Sequence, residues 1–536
     1  MNRSRRSPSS AAQAQVERQA ALVKSLAALL AADGAPVRLI ETHISWVIVH
    51  PVFSYKLKKA LRTAFLDYLT LPARQYYCEE EVRLNRRLAP RLYLDVACIT
   101  GTHERPVLDG AGPVLDYAVR MRTFDQGALW QDRLERGVLG AGEAASLGRL
   151  LARFHHDVPR APQEQAWGTR VRVIARTKAD LAEVGALLAD PEQCVALAQL
   201  GSWIGAQHRR MARSFDARKH AGWVREGHGD LHCGNLLTID GQVQAFDGIE
   251  FAPEMRWIDV MHDIAFPWMD LRSRGRADLA SRFLNVYLQG TGDYEGLAVL
   301  AYYCVQRALV RCKANLLSSG QAGTPGARAA TIAEAWRYLS FARDCTSGGA
   351  AGLIITHGLS GSGKSFACDA LVEPLGALQI RSDVERKRLR GLPATQAARA
   401  APGQGIYDAR AGSATYRRLA RAARQALVAG LVVLVDAAFL SYQQRELFRS
   451  LARELGLPFV ILDVRAPLPA LRARLATRAR AGSDASDADL VVLAHQLRVQ
   501  DELRSDETDR VVVVRTGDDA GDCPLQELAA RVKVFL

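Results

Sequence analysis

The run Gly358-Leu359-Ser360-Gly361-Ser362-Gly363-Lys364-Ser365 limits the fold of this chain more than any other stretch. It fits the pattern Gly-x-x-x-x-Gly-Lys-Ser/Thr throughout, follows the apolar run Leu353-Ile354-Ile355-Thr356 and precedes a helical stretch from Phe366. A loop of this kind works only between a buried strand and a helix. Its glycines let backbone N–H groups turn toward a phosphate, and the helix N-terminus adds positive dipole. The other apolar runs, Leu378–Arg381, Val432–Val435, Phe459–Val464 and Val511–Val514, alternate with helical patterns, so the spacing predicts a parallel sheet. In that setting Lys364 is expected to reach the β- and γ-phosphates of ATP, and Ser365 to ligate magnesium.

A second phosphate-handling pattern lies upstream: His228-Gly229-Asp230-Leu231-His232-Cys233-Gly234-Asn235, followed by Asp247. Transfer of a phosphoryl group to a hydroxyl needs an Asp to orient or accept the proton, an Asn five residues later to hold one magnesium, and a second Asp beyond a hairpin to hold another. Asp230, Asn235 and Asp247 supply these in order, with Leu236–Phe246 as the hairpin and Asp240-Gly241 as its turn. His228 is expected to brace the loop backbone. Such a site also needs a strand Lys on the nucleotide phosphates, paired with a helix Glu. Lys56 and Lys58 point to one side of a strand, and Lys56 is preferred because it lies further inside the strand. Glu81 shares a helix face with Leu84, Asn85 and Leu88, so it is the inward Glu. Tyr117–Met121 is expected to be the hinge beside the adenine. The turn His50-Pro51-Val52-Phe53 has no glycine, so a close-fitting cover over the phosphates is not expected.

Asp344–Gly352, with Ser347-Gly348-Gly349, reads as a linker. The expected layout is a helical extension over 1–34, a kinase-like domain over 35–343, the linker over 344–352 and a P-loop domain over 353–536. The net charge of +13 fits phosphate-bearing ligands. No compact Lys/Arg block with interleaved aromatics appears, which favours a small-molecule hydroxyl over nucleic acid as the acceptor. Nine cysteines are scattered without a CxxC pair; this argues for a reducing cytoplasm and against a disulfide framework or zinc site. Met1–Ser10 lacks the apolar stretch of a signal peptide, and no apolar run reaches the roughly 18 residues of a membrane span. A cytoplasmic chain without a membrane partner is expected.

The loop His228 to Asn235 resembles that of the aminoglycoside phosphotransferase and choline-kinase-like family, His-Gly-Asp-x-His-x-x-Asn. The resemblance covers roughly Ile40 to Ala342. It implies a bilobal protein-kinase-like fold, with Asp230 as catalytic base, Asn235 and Asp247 as magnesium ligands, and Asp263 as a structural Asp. The stretch from Leu353 onward resembles small P-loop kinases, including gluconate-kinase-like, zeta-toxin-like and, at Arg381-Ser382-Asp383-x-x-Arg386, polynucleotide 5′-kinases. That likeness implies that Asp383 receives the acceptor proton, that Arg386 holds the acceptor or the transferring phosphate, and that a lid arginine covers the leaving phosphates. Arg478 is preferred for the lid, with Arg472 nearly equal, in a cluster that includes Arg474 and Arg480. Asp436, at the end of a buried strand, has the place of a Walker-B-type or substrate-side carboxylate. The whole chain resembles bacterial bifunctional aminoglycoside phosphotransferase/ATP-binding proteins. The implied fold class is multidomain α+β and α/β, a kinase-like fold followed by a P-loop NTPase parallel sheet. The implied activity is phosphoryl transfer from magnesium-ATP to a hydroxyl. The Arg-rich helix over Gly201–Arg218 argues against polycationic aminoglycosides as acceptors. A nucleotide-gated regulator and a polynucleotide 5′-hydroxyl kinase in the P-loop half are the alternatives.

Overall fold

The computed structural model describes residues 10–63, 66–393, 409–481, 489–516 and 525–536. The polypeptide divides into two compact units, one of Met1–Leu139, Asp157–Gly168 and Gly222–Asp263, the other of Gly140–His156, Thr169–Ala221 and Ile264–Leu536.

The first unit is built on a six-stranded antiparallel sheet of β1 (Arg38–Glu41), β2 (Ser45–Val49), β3 (Phe53–Lys58), β4 (Tyr93–Gly101), β5 (Pro106–Leu108) and β6 (Asp116–Arg122), in the order β1-β2-β3-β6-β4-β5. Period-two alternation sorts its side chains. Trp46, Ile48, Tyr55, Leu57, Ala97, Ile99 and Ala118 pack against Leu22, Val23 and Leu26 of the helix Ser10–Leu30. On the other face, Tyr93, Val119 and Met121 pack with Cys78 and Val82 of the helix Leu71–Asn85. That helix starts cleanly because the Thr70 hydroxyl accepts from the Ala73 N–H at 3.2 Å and a proline sits in its first turn. Later segments of the same unit add β7 (Val224–Glu226), the hairpin β8 (Leu236–Ile239) and β9 (Gln242–Ala245), and β10 (Trp257–Asp259), which pairs with β7. The hairpin turn has Asp240 at φ 50° and Gly241 at φ 70°, the two left-handed positions a tight β-turn needs.

The second unit is helical up to Asp344 and then becomes α/β. Its sheet contains β11 (Gly352–His357), β12 (Leu378–Arg381), β13 (Val432–Asp436), β14 (Phe459–Arg465) and β15 (Val511–Arg515). All pairs are parallel, in the order β12-β13-β11-β14-β15. Ile354, Leu434, Leu462 and Val512 form one core with Cys368 and Leu371 of the helix Lys364–Leu375 and Leu528 of the helix Leu525–Lys533. Among the described residues no helix is long and apolar enough to cross a membrane, and the cysteines are all free thiols.

The expected fold class is the one observed. The sequence carries no signal for three features of the organisation. The helix Ser10–Leu30 supplies a core layer of the sheet. Gln19 on that helix accepts from the Ala60 N–H at 2.6 Å and donates to the Lys58 carbonyl at 3.2 Å. The helices from Ile264 to Asp344 belong to one unit with the P-loop sheet, and the contacts of helix Ala277–Thr291 described below account for this. Finally, the Arg-rich stretch expected as one helix over Gly201–Arg218 is broken at Met211, which has ψ 4°, into the helices Pro191–Arg210 and Ala212–His220.

The place of the helix Ser10–Leu30 in the core has a measurable consequence. Leu26 is fully buried beneath the sheet, so Leu26→Ala should cost about 2–5 kcal/mol in urea unfolding. A cost below about 1 kcal/mol, the range of surface substitutions, would show that this helix does not belong to the core.

Candidate functional site

In the first unit, the alternation that buries Tyr55 and Leu57 turns Lys56 and Lys58 to the opposite face, where Glu81 of the helix Leu71–Asn85 meets both. Glu81 is fully buried. Lys56 Nζ donates to Glu81 Oε1 at 2.9 Å and to Asp247 Oδ1 at 2.5 Å. Lys58 Nζ donates to Glu81 Oε2 at 2.7 Å and pairs with Glu250, which also accepts from Tyr68 Oη at 2.7 Å. Burial alone would lower Lys56, but Asp247, Glu81 and Glu250 hold it well above the usual lysine range. Lys58 is held up in the same way by Glu250 and Glu81. Burial would raise Glu81, yet the two ammonium groups keep it at about 2. Lys58 is the more buried lysine, with 0% side-chain exposure against 14% for Lys56. What distinguishes Lys56 is its contact with Asp247.

The loop carrying Asp230 is tied down from below. A Cβ on Gly227 would lie 2.2 Å from Asp263 Oδ2, so only glycine fits there. Asp263 accepts from the N–H groups of His228 at 2.7 Å and Gly229 at 2.8 Å. His228 Nδ1 accepts from the Asp230 N–H at 3.2 Å, which leaves Nε2 to donate to the Phe246 carbonyl at 3.0 Å. Burial pushes this imidazole's pKa down, consistent with a neutral ring that links loop to hairpin. Asn235 Nδ2 donates to the Asp230 carbonyl at 3.0 Å and to Asp230 Oδ2 at 3.1 Å. Asp247 is at φ 60°, a strained position for a non-glycine residue. Its N–H donates to Tyr93 Oη at 3.1 Å, and the N–H of Gly248 to Asn85 Oδ1 at 2.8 Å. The carboxylates of Asp230 and Asp247 keep 33% and 45% exposure, so a ligand can reach both. Tyr117–Met121, expected as a hinge, is the middle of β6, and the chain leaves the sheet only after Arg122.

In the second unit, the phosphate loop joins β11 to the helix Lys364–Leu375. Gly358, Gly361 and Gly363 have φ of 142°, 85° and 93°. A Cβ on Gly358 would meet the Val464 carbonyl at 2.3 Å. The Ser360 N–H donates to Gln496 Oε1 at 2.8 Å, and Lys364 Nζ folds back onto the Leu359 carbonyl at 2.8 Å. Asp436, at the end of β13, accepts from Gln379 Nε2 at 3.1 Å. Burial raises its pKa, opposed by Arg381, by a hydrogen bond from the Ser365 hydroxyl and by Lys364. Ser365 and Asp436 thus bring hard oxygen donors together, a set that suits magnesium held jointly with nucleotide phosphates. Among the described residues no group of three or more His, Cys, Asp or Glu forms a metal cage. Asp383 and Arg386 lie on the helix Ser382–Arg388 and pair with each other at 2.9 Å. A cavity of about 790 Å³ opens beside the loop, lined by His357, Leu359, Ser362, Asp463 and Arg465 among others.

Of the arginines expected to form a lid, Arg474 reaches the loop. Its Nη1 donates to the Gly361 carbonyl at 3.3 Å and to Thr516 Oγ1 at 2.8 Å, and Thr516 in turn donates to the Ser362 carbonyl at 2.8 Å. Arg472 is exposed, and the side chains of Arg478 and Arg480 fall outside the described residues. The signal that singles out Arg474 was in the sequence. Leu471 and Leu475 form an apolar pair that packs with Leu359, and position 474 shares their helix face. Glu250, Tyr93 and Asn85 complete the first site without a motif of their own. Of these, only Asn85 lies on the helix face that the sequence assigns to Glu81.

Residues 353–503 match the family model described as an AAA domain, on the part of the chain expected to carry the P-loop. A protein of Mycobacterium tuberculosis, described as uncharacterized, is 28% identical over 449 residues, which cover 83% of this chain and 87% of that protein. Among solved structures, a choline/ethanolamine kinase family protein from Mesorhizobium loti is 12% identical and covers 60% of this chain and 99% of its own, with a TM-score of 0.36. A gluconokinase from Sinorhizobium meliloti is 25% identical and covers 34% of this chain and 89% of its own, with a TM-score of 0.23.

The Glu81 cluster predicts an acid limb in stability. Its folded pKa is depressed, so its stabilisation is complete above the unfolded value of about 4.3 and is lost as pH falls through the folded value. Glu81→Gln should cost about 3–5 kcal/mol near neutrality. The gap between wild type and variant in urea unfolding should narrow as pH drops below about 4. A gap that stays constant down to about pH 2.5, well below the unfolded value, contradicts the assigned ion pairs.

Proposed function

We propose that this protein is an ATP- and magnesium-dependent phosphotransferase that acts on a hydroxyl of a small molecule, with a second ATP-binding site in its P-loop domain. One observation carries the reading: Lys364 lies over a glycine loop at the end of the central strand, with Ser365 and Asp436 converging beside it. The AAA-domain match over the same residues supports it. In the P-loop domain the loop N–H groups and Lys364 bind the β- and γ-phosphates, Ser365 and Asp436 hold magnesium, and Arg474 steadies the loop. Asp383 takes the proton of the acceptor hydroxyl, with Arg386 beside it to orient acceptor or phosphate. In the first unit Lys56, oriented by Glu81, binds the nucleotide phosphates. Asn235 and Asp247 hold magnesium there, and Asp230 accepts the acceptor proton. Bound magnesium supplies charge neutralisation on the phosphates.

A second reading, in which the first unit binds ATP chiefly as a signal, is favoured by the turn His50–Phe53. It is closed by a 3.1 Å bond from the His50 N–H to the Phe53 carbonyl and has no glycine to bring backbone N–H groups onto phosphate.

The test is an acceptor screen on the full chain with labelled ATP and magnesium, run in parallel on Asp230→Ala and Lys364→Ala, with sugars, amino alcohols and 5′-hydroxyl oligonucleotides as acceptors. Transfer belonging to the first unit should fall about 10²–10⁴-fold in Asp230→Ala. Nucleotide binding at the P-loop should be lost in Lys364→Ala. ATP binding to the first unit without acceptor-dependent turnover favours the signalling reading. Turnover that neither substitution alters sinks the phosphotransferase assignment.

A further inference from the structure

The strand β12 is the edge of the parallel sheet and runs directly into the helix that bears Asp383 and Arg386. An edge strand leaves backbone N–H and C=O groups in need of partners. Here one side chain from outside the P-loop domain meets them. Asn285, on the helix Ala277–Thr291, donates through Nδ2 to the Ala377 carbonyl at 2.7 Å and accepts at Oδ1 from the Gln379 N–H at 2.6 Å. The amide thus pairs with β12 as a further strand would, and Asn285 is only 3% exposed. Gln379 then passes the link inward, since its side chain donates to Asp436.

The far side of the Asp383 helix is held from the same direction. Glu385, fully buried, pairs with Arg388 and Arg418 and accepts from Tyr294 Oη at 3.3 Å. Arg388 also donates to the Gln289 carbonyl, and a Cβ on Gly292 would come within 2.7 Å of its side chain. Arg282 pairs with Asp369 and, at 2.9 Å, with Glu373 on the helix that follows the phosphate loop. Residues 282–294 therefore grip the acceptor-side strand, the acceptor-side helix and the helix behind the phosphates.

We propose that Asn285 and Tyr294 are positioning residues of the P-loop site, setting where Asp383 and Arg386 stand relative to the phosphate loop. The proposal rests on the reading of this domain as a phosphotransferase. It makes the acceptor side of the P-loop domain dependent on residues that precede the linker. Misplacement of a reacting group by about 1 Å can cost about 10²-fold in rate, whereas the phosphate loop has its own supports in Gln496, Arg474 and Thr516.

The experiment uses the full chain with Asp230→Ala as background, magnesium-ATP as probe and water as acceptor, and compares Asn285→Asp and Tyr294→Phe. The first is isosteric but loses the donor to Ala377; the second is the milder change and guards against misfolding. Expected results are an ATP KM within about twofold of the background, a kcat lowered about tenfold, and amide exchange over residues 378–388 accelerated about tenfold, with exchange in residues 353–375 unchanged. Unchanged exchange over 378–388 in both variants overturns the proposal whatever the turnover. A KM that rises with kcat unchanged also overturns it, because the grip would then serve nucleotide binding. Failure of the underlying reading looks different: Lys364→Ala would turn over ATP as fast as the background.

Discussion

Glu81 has no exposed surface and carries an ammonium group on each carboxylate oxygen. A charge shut away from water survives only when it is paired, and the cost of leaving it alone exceeds what most single contacts contribute. The requirement ties three distant segments together. The helix Leu71–Asn85 must present Glu81 inward, β3 must turn Lys56 and Lys58 toward it, and the stretch after the hairpin must bring Asp247 and Glu250 to the same lysines. The sheet, the helix and the loop of the first site are thus held by one electrostatic constraint. Asp230 and Asp247 beside it keep 33% and 45% side-chain exposure.

The second site rests on backbone geometry. Gly358, Gly361 and Gly363 adopt conformations that side chains resist, and Gly358 lies so close to Val464 that a Cβ would not fit. The curled backbone aims its N–H groups where a phosphate can sit, and the helix after it adds its dipole. Asp436 lies 3.7 Å from Arg381 Nε, and burial raises its pKa against the opposing pull of Arg381 and a hydrogen bond from Ser365, so the loop and the end of β13 form one oxygen-rich corner.

The legible parts of the sequence were those in which a local pattern states its own outcome. The strands β11, β13 and β14 were visible because they are buried on both faces and read as near-continuous apolar runs; β12 is interrupted by the buried Gln379, and β15 is buried mainly on one face. The strand β1 is exposed along its whole length and carries no such signal. The strand β4 mixes Asp95, Cys98 and Thr100 into its run and carries no clear strand pattern. Tyr117–Met121 lies between β3 and β4 in the sheet, a place that no local pattern encodes, because the pairing joins segments remote in sequence. The helix Ser10–Leu30 was legible as a helix; that Leu22, Val23 and Leu26 fill one face of the sheet was not, because the residues they meet lie far along the chain.

By itself the sequence determined that there are two phosphate-handling patterns, that one follows a strand and opens a helix, and that Asp230, Asn235 and Asp247 come in a usable order. Spacing and side-chain type suffice for that, since loops and hairpins are local. The tertiary structure decided which of two equivalent lysines meets Asp247, that Arg474 reaches the Gly361 carbonyl, and that Asn285 closes the edge of a sheet it does not belong to. These are choices among chemically similar groups. They are settled by distances between elements remote in sequence, and no local pattern encodes such a distance.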